Sequence, residues 1–199
     1  MSTTSAPYGF RPAFHNSGQM RPKAYTIAST YAASIYSGDP VKLVTAGTIQ
    51  LGTSDGTRTG TTDGISLLGI FAGVEYYDST GKPTIAPFWT GGTTGTQIVA
   101  WVYDDPETIY DVQFANPGTA GTDSVQTAVG AECDWRPTAG GSTATGISAT
   151  YLAAESATSG QFQITGYAYL VTDSPTDAFV NMSVRLNESQ YKAPVNTVS

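Results

Sequence analysis

Apolar and polar residues alternate with a period of two over several short stretches of this chain, and nowhere does a helical repeat persist. In residues 96–103, Ile98, Ala100 and Val102 fall on one face, and Gln97, Val99, Trp101 and Tyr103 on the other. The same alternation runs through 108–114, 161–170 and 178–186. In the last of these, Val180, Met182, Val184 and Leu186 oppose Phe179, Asn181, Ser183 and Arg185. Each is the pattern of a strand with one buried face. Residues 65–77 are more uniformly apolar and carry Gly69 and Gly73, a residue type that marks a bulge or bend inside a strand. The runs 41–45 and 48–51 flank Ala46-Gly47, which predicts a hairpin. Turn residues punctuate the remainder at Ser37-Gly38-Asp39-Pro40, Asp78-Ser79-Thr80-Gly81 and 91–95. Between 96–103 and 108–114 stands Asp104-Asp105-Pro106-Glu107, which predicts a second hairpin with an acidic turn at its tip.

These elements predict an all-β fold, or nearly so: a compact β-barrel or sandwich with long loops and an extended N-terminal arm. The arm is 1–23, a single β-rich domain spans 24–190, and 191–199 is a C-terminal tail. Residues 52–64 hold almost nothing apolar, and 137–146 is rich in Gly, Ser and Thr, so both read as long loops. Residues 124–135 read as a short helix or a strand pair, and 147–155 as a strand or a short helix. Pro7, Pro12 and Pro22 prevent a continuous helix or a central strand in the arm. Yet Tyr8, Phe10 and Phe14 lie along it, and a solvated tail has little use for aromatics. Two readings stand: the arm packs on its own domain, or it docks on a neighbouring subunit, where each aromatic buries a large area.

Composition narrows the function classes. The chain has 199 residues, enough for one domain of generous size, and 40% are hydrophobic, so a core is available. Only 13% are charged, about half the usual share, so Thr, Ser, Gly, Asn and Gln build the polar surface. Depletion of charge suits surfaces that lie against other protein. With a net charge of −7, nine Lys and Arg and no basic run, nucleic acid is not an expected partner, nor is an anionic membrane. No apolar run approaches the roughly 18 residues of a membrane span. The first twelve residues lack the basic and apolar regions of a secretory signal, so the Asn-x-Ser matches at Asn181 and Asn187 read as chance. One cysteine, Cys133, and one histidine, His15, leave no disulfide framework and no Cys- or His-based metal site. No metal or cofactor is expected, and folding in a reducing cytoplasm is.

The acids Asp104, Asp105, Glu107 and Asp111, with Glu75, are the strongest chemical candidates. Two carboxylates at a fixed separation in an open cleft can hydrolyse a glycosidic bond, and Trp89, Trp101 and Tyr103 are of the type that stacks on sugars. The simpler reading makes Asp104 and Asp105 turn caps before Pro106, with the other acids solvated or paired across an interface. Asp55 and Asp63 do not have the spacing of an EF-hand loop. There is no phosphate-binding Gly-rich loop and no Gly-x-Ser-x-Gly elbow. Cys133 reads as a buried structural cysteine. The expectation is a protein without enzymatic activity.

Four segments carry a resemblance: Tyr8-Gly9-Phe10-Arg11-Pro12, Gly38-Asp39-Pro40-Val41, Leu68-Gly69-Ile70-Phe71-Ala72-Gly73-Val74-Glu75 and Tyr103-Asp104-Asp105-Pro106. Together they resemble a family of tailed-bacteriophage virion proteins described as head decoration or cement proteins. The resemblance spans about residues 6–190 and rests on glycines and turns, and it supplies no catalytic residues. It implies a small β-barrel that binds the outer surface of a capsid and bridges neighbouring capsomers. The implied partners are the major capsid protein and other copies of the chain, as a homotrimer or homodimer, on a virion assembled in the host cytoplasm. The residues expected at the capsid or subunit interface are Tyr8, Phe10, Arg11 and Phe14 in the arm, and Asp104, Asp105 and Glu107 at the acidic turn. The alternatives are another virion component, such as a tail or fibre protein, and a carbohydrate-binding or carbohydrate-processing β-domain.

Overall fold

The computed structural model describes residues 5–53, 66–115, 128–136, 140–156, 160–168 and 177–191, with backbone alone at 153–156. The expected loop at 52–64, with Asp55 and Asp63, lies almost wholly outside the described residues, as do most of the tail and part of 137–146. Every regular element among the described residues is a strand, so the fold is all-β. The first half of the chain lays down β1 (Arg11–Phe14), β2 (Lys23–Tyr25), β3 (Ile35–Tyr36), β4 (Pro40–Leu43), β5 (Ile49–Leu51), β6 (Gly69–Asp78), β7 (Pro83–Ala86), β8 (Phe88–Trp89) and β9 (Gly95–Tyr103). The second half lays down β10 (Ile109–Ala115), β11 (Glu132–Arg136), β12 (Tyr151–Ser156), β13 (Phe162–Tyr167) and β14 (Phe179–Leu186).

Most strands form two curled sheets with separate cores, and β3 pairs with β8 in a third, two-stranded sheet. In the first sheet the order is β2-β9-β6-β4-β5, and β7 adds to β6. A parallel bridge between Ile27 and Ile49 brings its two ends together, and the Ile49 N–H donates to the Thr26 carbonyl at 2.8 Å. In the second sheet the order is β10-β12-β11-β13-β14, and β14 returns to pair with β10, which closes a five-stranded barrel. The alternation read from the sequence is what fills each interior. Ile98, Ala100 and Val102 of β9 face the first core, with Ile35, Val41, Phe71 and Trp89. Val180, Met182, Val184 and Leu186 of β14 face the second, with Tyr110, Val112, Phe114 and Trp135.

The hairpin at Ala46-Gly47 forms as expected between β4 and β5. Gly73 marks a register shift in β6, as expected of a bulge. Gly69 does something else: a Cβ there would stand 2.0 Å from the Tyr103 carbonyl oxygen, so it permits close approach of two backbones.

The expected hairpin of 96–103 with 108–114 is not formed. β9 pairs with β2 and β6 in the first sheet, whereas β10 pairs with β1, β12 and β14 in the second. Residues 104–108 are therefore the crossing between the two sheets. Alternation records which face of a strand is buried, and it carries no record of which neighbour the strand pairs with. The arm boundary also shifts, because residue 23 opens β2 and residues 11–14 form β1 on the edge of β10.

Candidate interaction site

The arm and the acidic turn, far apart in sequence, meet where the two sheets join. At Gly9 and Phe10 the arm is fixed by its backbone. The Gly9 N–H donates to the Thr150 carbonyl at 3.2 Å, and the Phe10 N–H donates to the Gly38 carbonyl at 3.0 Å. Gly38 has φ of +94°, and a Cβ there would press on the Phe10 nitrogen at 3.1 Å, so glycine is what lets the arm lie this close. Phe10 is 1% exposed and stacks on Phe162 with centroids 4.3 Å apart. Of the expected interface residues, Phe10 is thus withdrawn as a surface anchor: its ring lies in the core of the second barrel, because the backbone ties of Gly9 to Thr150 and of Phe10 to Gly38 hold the arm against it.

The neighbouring arm residues point elsewhere. The Tyr8 hydroxyl donates to Asn181 Oδ1 at 2.7 Å, and the Arg11 guanidinium lies over the Tyr8 ring, 4.3 Å from its centroid. Arg11 is exposed on the face of β1, opposite Asp111 in register, and Phe14 at the strand's end is 54% exposed. A register shift between Pro12 and Phe14 turns the strand there.

The crossing at 104–108 is held by the same arm. His15 Nε2 lies 3.1 Å from Asp105 Oδ2, and Lys23 Nζ lies 3.2 Å from Asp104 Oδ2. The Tyr25 hydroxyl donates to the same Asp104 oxygen at 2.6 Å. Burial, and then the Asp104 carboxylate beside it, push the Tyr25 phenol well above its ordinary range. The hydrogen bond to Asp104, and then its charge, likewise raise the Lys23 ammonium. Asp105 Oδ1 accepts the Glu107 N–H at 2.9 Å, the side-chain turn expected of an Asp before proline. Glu107 is exposed. Asp104 and Asp105 thus meet basic groups of their own arm. Asp111 accepts the Ser183 hydroxyl at 2.7 Å on the second barrel, and Glu75 stands apart on β6. The carboxylates do not converge on one cleft. Trp89 is 0% exposed and packs edge-on against Tyr76, which removes it as a sugar platform. Cys133 is buried. Among the described residues no group of three or more His, Cys, Asp or Glu side chains is placed to hold a metal ion, and no helix is long and apolar enough to cross a membrane.

Asp39 is a residue whose importance the sequence reading did not show. It is 4% exposed, at the turn into β4. Its carboxylate accepts the Tyr36 N–H at 2.7 Å and the Ser148 hydroxyl at 2.5 Å, and that hydroxyl lies 2.9 Å from the Thr150 hydroxyl. Burial pushes the acid up to about 6, against the lowering effect of both hydrogen bonds. Ser148 and Thr150 lead into β12, so this carboxylate ties the first sheet to the second barrel beside Phe10. Gly38-Asp39-Pro40 signals a turn, and nothing in that pattern announces burial.

Two concavities mark the surface, one beside the arm at the join and one on the first sheet. A cleft of about 170 Å³ is lined by Tyr8, Arg11, Ile70, Phe71, Tyr103 and Ile147 among others. A shallower groove of about 300 Å³ is lined by Glu75, Tyr77, Pro83, Ile85, Gln97 and Val99 among others. Comparison of the chain with protein-family models, with curated proteins and with solved structures found no match.

Proposed function

We propose that this chain is a non-enzymatic structural protein of a tailed-phage virion, which binds the outer surface of the capsid and cements neighbouring capsomers. The observation that carries the reading is the posture of the arm. Phe10 anchors it in the second barrel, while Arg11 and Phe14 project from β1 into solvent. A partner meeting that strand meets side chains held on a fixed backbone, so little conformational freedom is lost on binding. Low charge and a surface of Thr, Gly and Tyr suit extended protein–protein contact. Cementing then works by adding interface that must be lost before two capsomers separate. The partners are the major capsid protein and further copies of the chain. The exposed carboxylate edge of Asp105 is the part of the acidic turn turned toward a shell with basic groups.

The test is to add the purified chain back to heads of its own phage that lack it, then to image and heat them. The expected result is saturable, symmetric density on the outer shell and a raised disruption temperature. Phe14→Ala should lower occupancy at least tenfold, the cost of losing an exposed aromatic anchor. Bare heads, or binding at tails alone, would overturn the reading in favour of a tail or fibre component.

A further inference from the structure

Two features that lie along β6 lack a partner within the described chain. The first is the groove beside β7. Ile85 is 85% exposed, the most exposed large hydrophobic residue among those described, with Tyr77 at 42% nearby. Its cross-strand neighbour is Glu75, which lies between Ile85 and Val99 in register. The Glu75 carboxylate is half-buried and forms no ion pair among the described residues. β7 pairs with β6 alone among the described strands, so its other edge is open. The second feature is the cleft beside the arm. Its walls are mixed, apolar at Tyr103 and Ile147 and polar at Tyr8 and Ser37, and its cation is Arg11, whose guanidinium rests on Tyr8 and forms no ion pair among the described residues.

We propose that the two features are halves of one contact between copies of this chain: Ile85 of one copy enters the cleft of the next, and Glu75 meets the partner's Arg11. The proposal rests on the self-association put forward above and supplies its residues. Three observations support a second copy as the occupant. The exposed branched aliphatic side chain of Ile85 finds apolar wall in the cleft at Tyr103 and Ile147, with polar groups at its rim for the charged neighbour. The recess, at about 170 Å³, matches in scale the roughly 150 Å³ cavity that holds a benzene ring. The charges are opposite in sign, the Glu75 carboxylate and the Arg11 guanidinium, and neither forms an ion pair among the described residues. Placement fits as well. Ile70 and Phe71 line the cleft and Glu75 lines the groove, so at about 3.3 Å per residue the two lie within roughly 15 Å along one strand. A two-fold pair then makes the contact twice, each patch serving as both donor and acceptor.

Sedimentation of the full chain tests this, with Arg11→Glu, Glu75→Arg, the double exchange and Ile85→Asp. The wild-type chain should sediment as a dimer. Each single charge reversal places like charges face to face and should weaken association at least tenfold. The double exchange should recover it to within about threefold, since the two charges act as a coupled pair. Ile85→Asp should abolish association with an unchanged β circular-dichroism signature, because Ile85 supports no part of the fold. A wild-type monomer at every concentration, or a double exchange no better than its parents, would overturn the contact. Binding to heads is scored separately. A dimer that leaves heads bare overturns the capsid reading and leaves this contact standing; a monomer that decorates heads does the reverse.

Discussion

The two large sheets are closed in different ways. In the second, β10 and β14 run side by side from Ile109–Arg185 to Ala115–Phe179, and the thin seam lies between β10 and β12, which pair at Phe114–Leu152 among the described residues. In the first, the ends of the sheet meet at the single Ile27–Ile49 bridge, and β7 hangs on β6 with a free edge. A sealed barrel hides its backbone groups, whereas an open edge offers them to a partner. The difference teaches where each kind of function is placed. The second barrel is the anchor, and the first carries the free strand and the exposed Ile85. The N-terminal segment serves both, since Phe10 belongs to the second core and residues 23–25 to the first sheet.

The largest effect that would break this comparison comes from Phe10. Removing a fully buried aromatic ring costs about 3–5 kcal/mol through lost burial and the cavity left behind. Phe10→Ala should lower the urea midpoint accordingly, while Phe14→Ala, at 54% exposure, should stay within about 0.5 kcal/mol. Equal costs for the two would mean that the arm is no part of the second core.

The next effect falls at the join. The folded-state acidity of Asp39 lies at about 6, above its ordinary value of 3.8, so the folded chain keeps this proton longer than the unfolded one. The sign follows from proton counting. Between roughly pH 4 and 6 the native state holds more protons at this site, so stability is greatest below that window and falls as the pH rises through it. The loss from this one group is of order 2–3 kcal/mol. Asp39→Asn should flatten that part of the stability–pH curve in denaturant titrations run from pH 3.5 to 7. A variant with the same slope as the parent would mean that the buried carboxylate does not couple the two sheets to pH.

Asp39 also marks the limit of what the chain shows in one dimension. The positions and buried faces of β9, β10, β13 and β14 and the Ala46-Gly47 hairpin were legible because alternation and turn chemistry are local, whereas β1 and β3 carry no such signal and β11 and β12 fall where the pattern fits helix as well as strand. The division into two large sheets was not legible, because β9 and β10 follow one another and share the alternation of a hairpin although they belong to different sheets. Tyr8, Phe10 and Phe14 were legible as residues with a purpose. Whether each ring faces inward or outward depends on the register of β1 against β10, a pairing about a hundred residues away. The groove at Ile85 was missed for a related reason. A short apolar strand reads the same whether its outer face is covered or bare.

The smallest effect separates the two halves of the acidic turn. Asp104 is 13% exposed and engaged by both Lys23 and Tyr25, whereas Asp105 is 52% exposed and faces His15. A mostly exposed ion pair contributes about 0.2–1 kcal/mol and is screened by salt. Loss of a sheltered acceptor from a charged hydrogen bond costs about 1.5–3 kcal/mol. Asp104→Ala should therefore destabilise the chain more than Asp105→Ala, and added salt should shrink the smaller cost first. If Asp105→Ala leaves stability within about 0.5 kcal/mol yet removes binding to heads, the turn is a contact surface whose pairing with His15 is incidental. If it leaves both unchanged, the crossing serves only to carry the chain from one sheet to the other, and the capsid contact rests on Phe14.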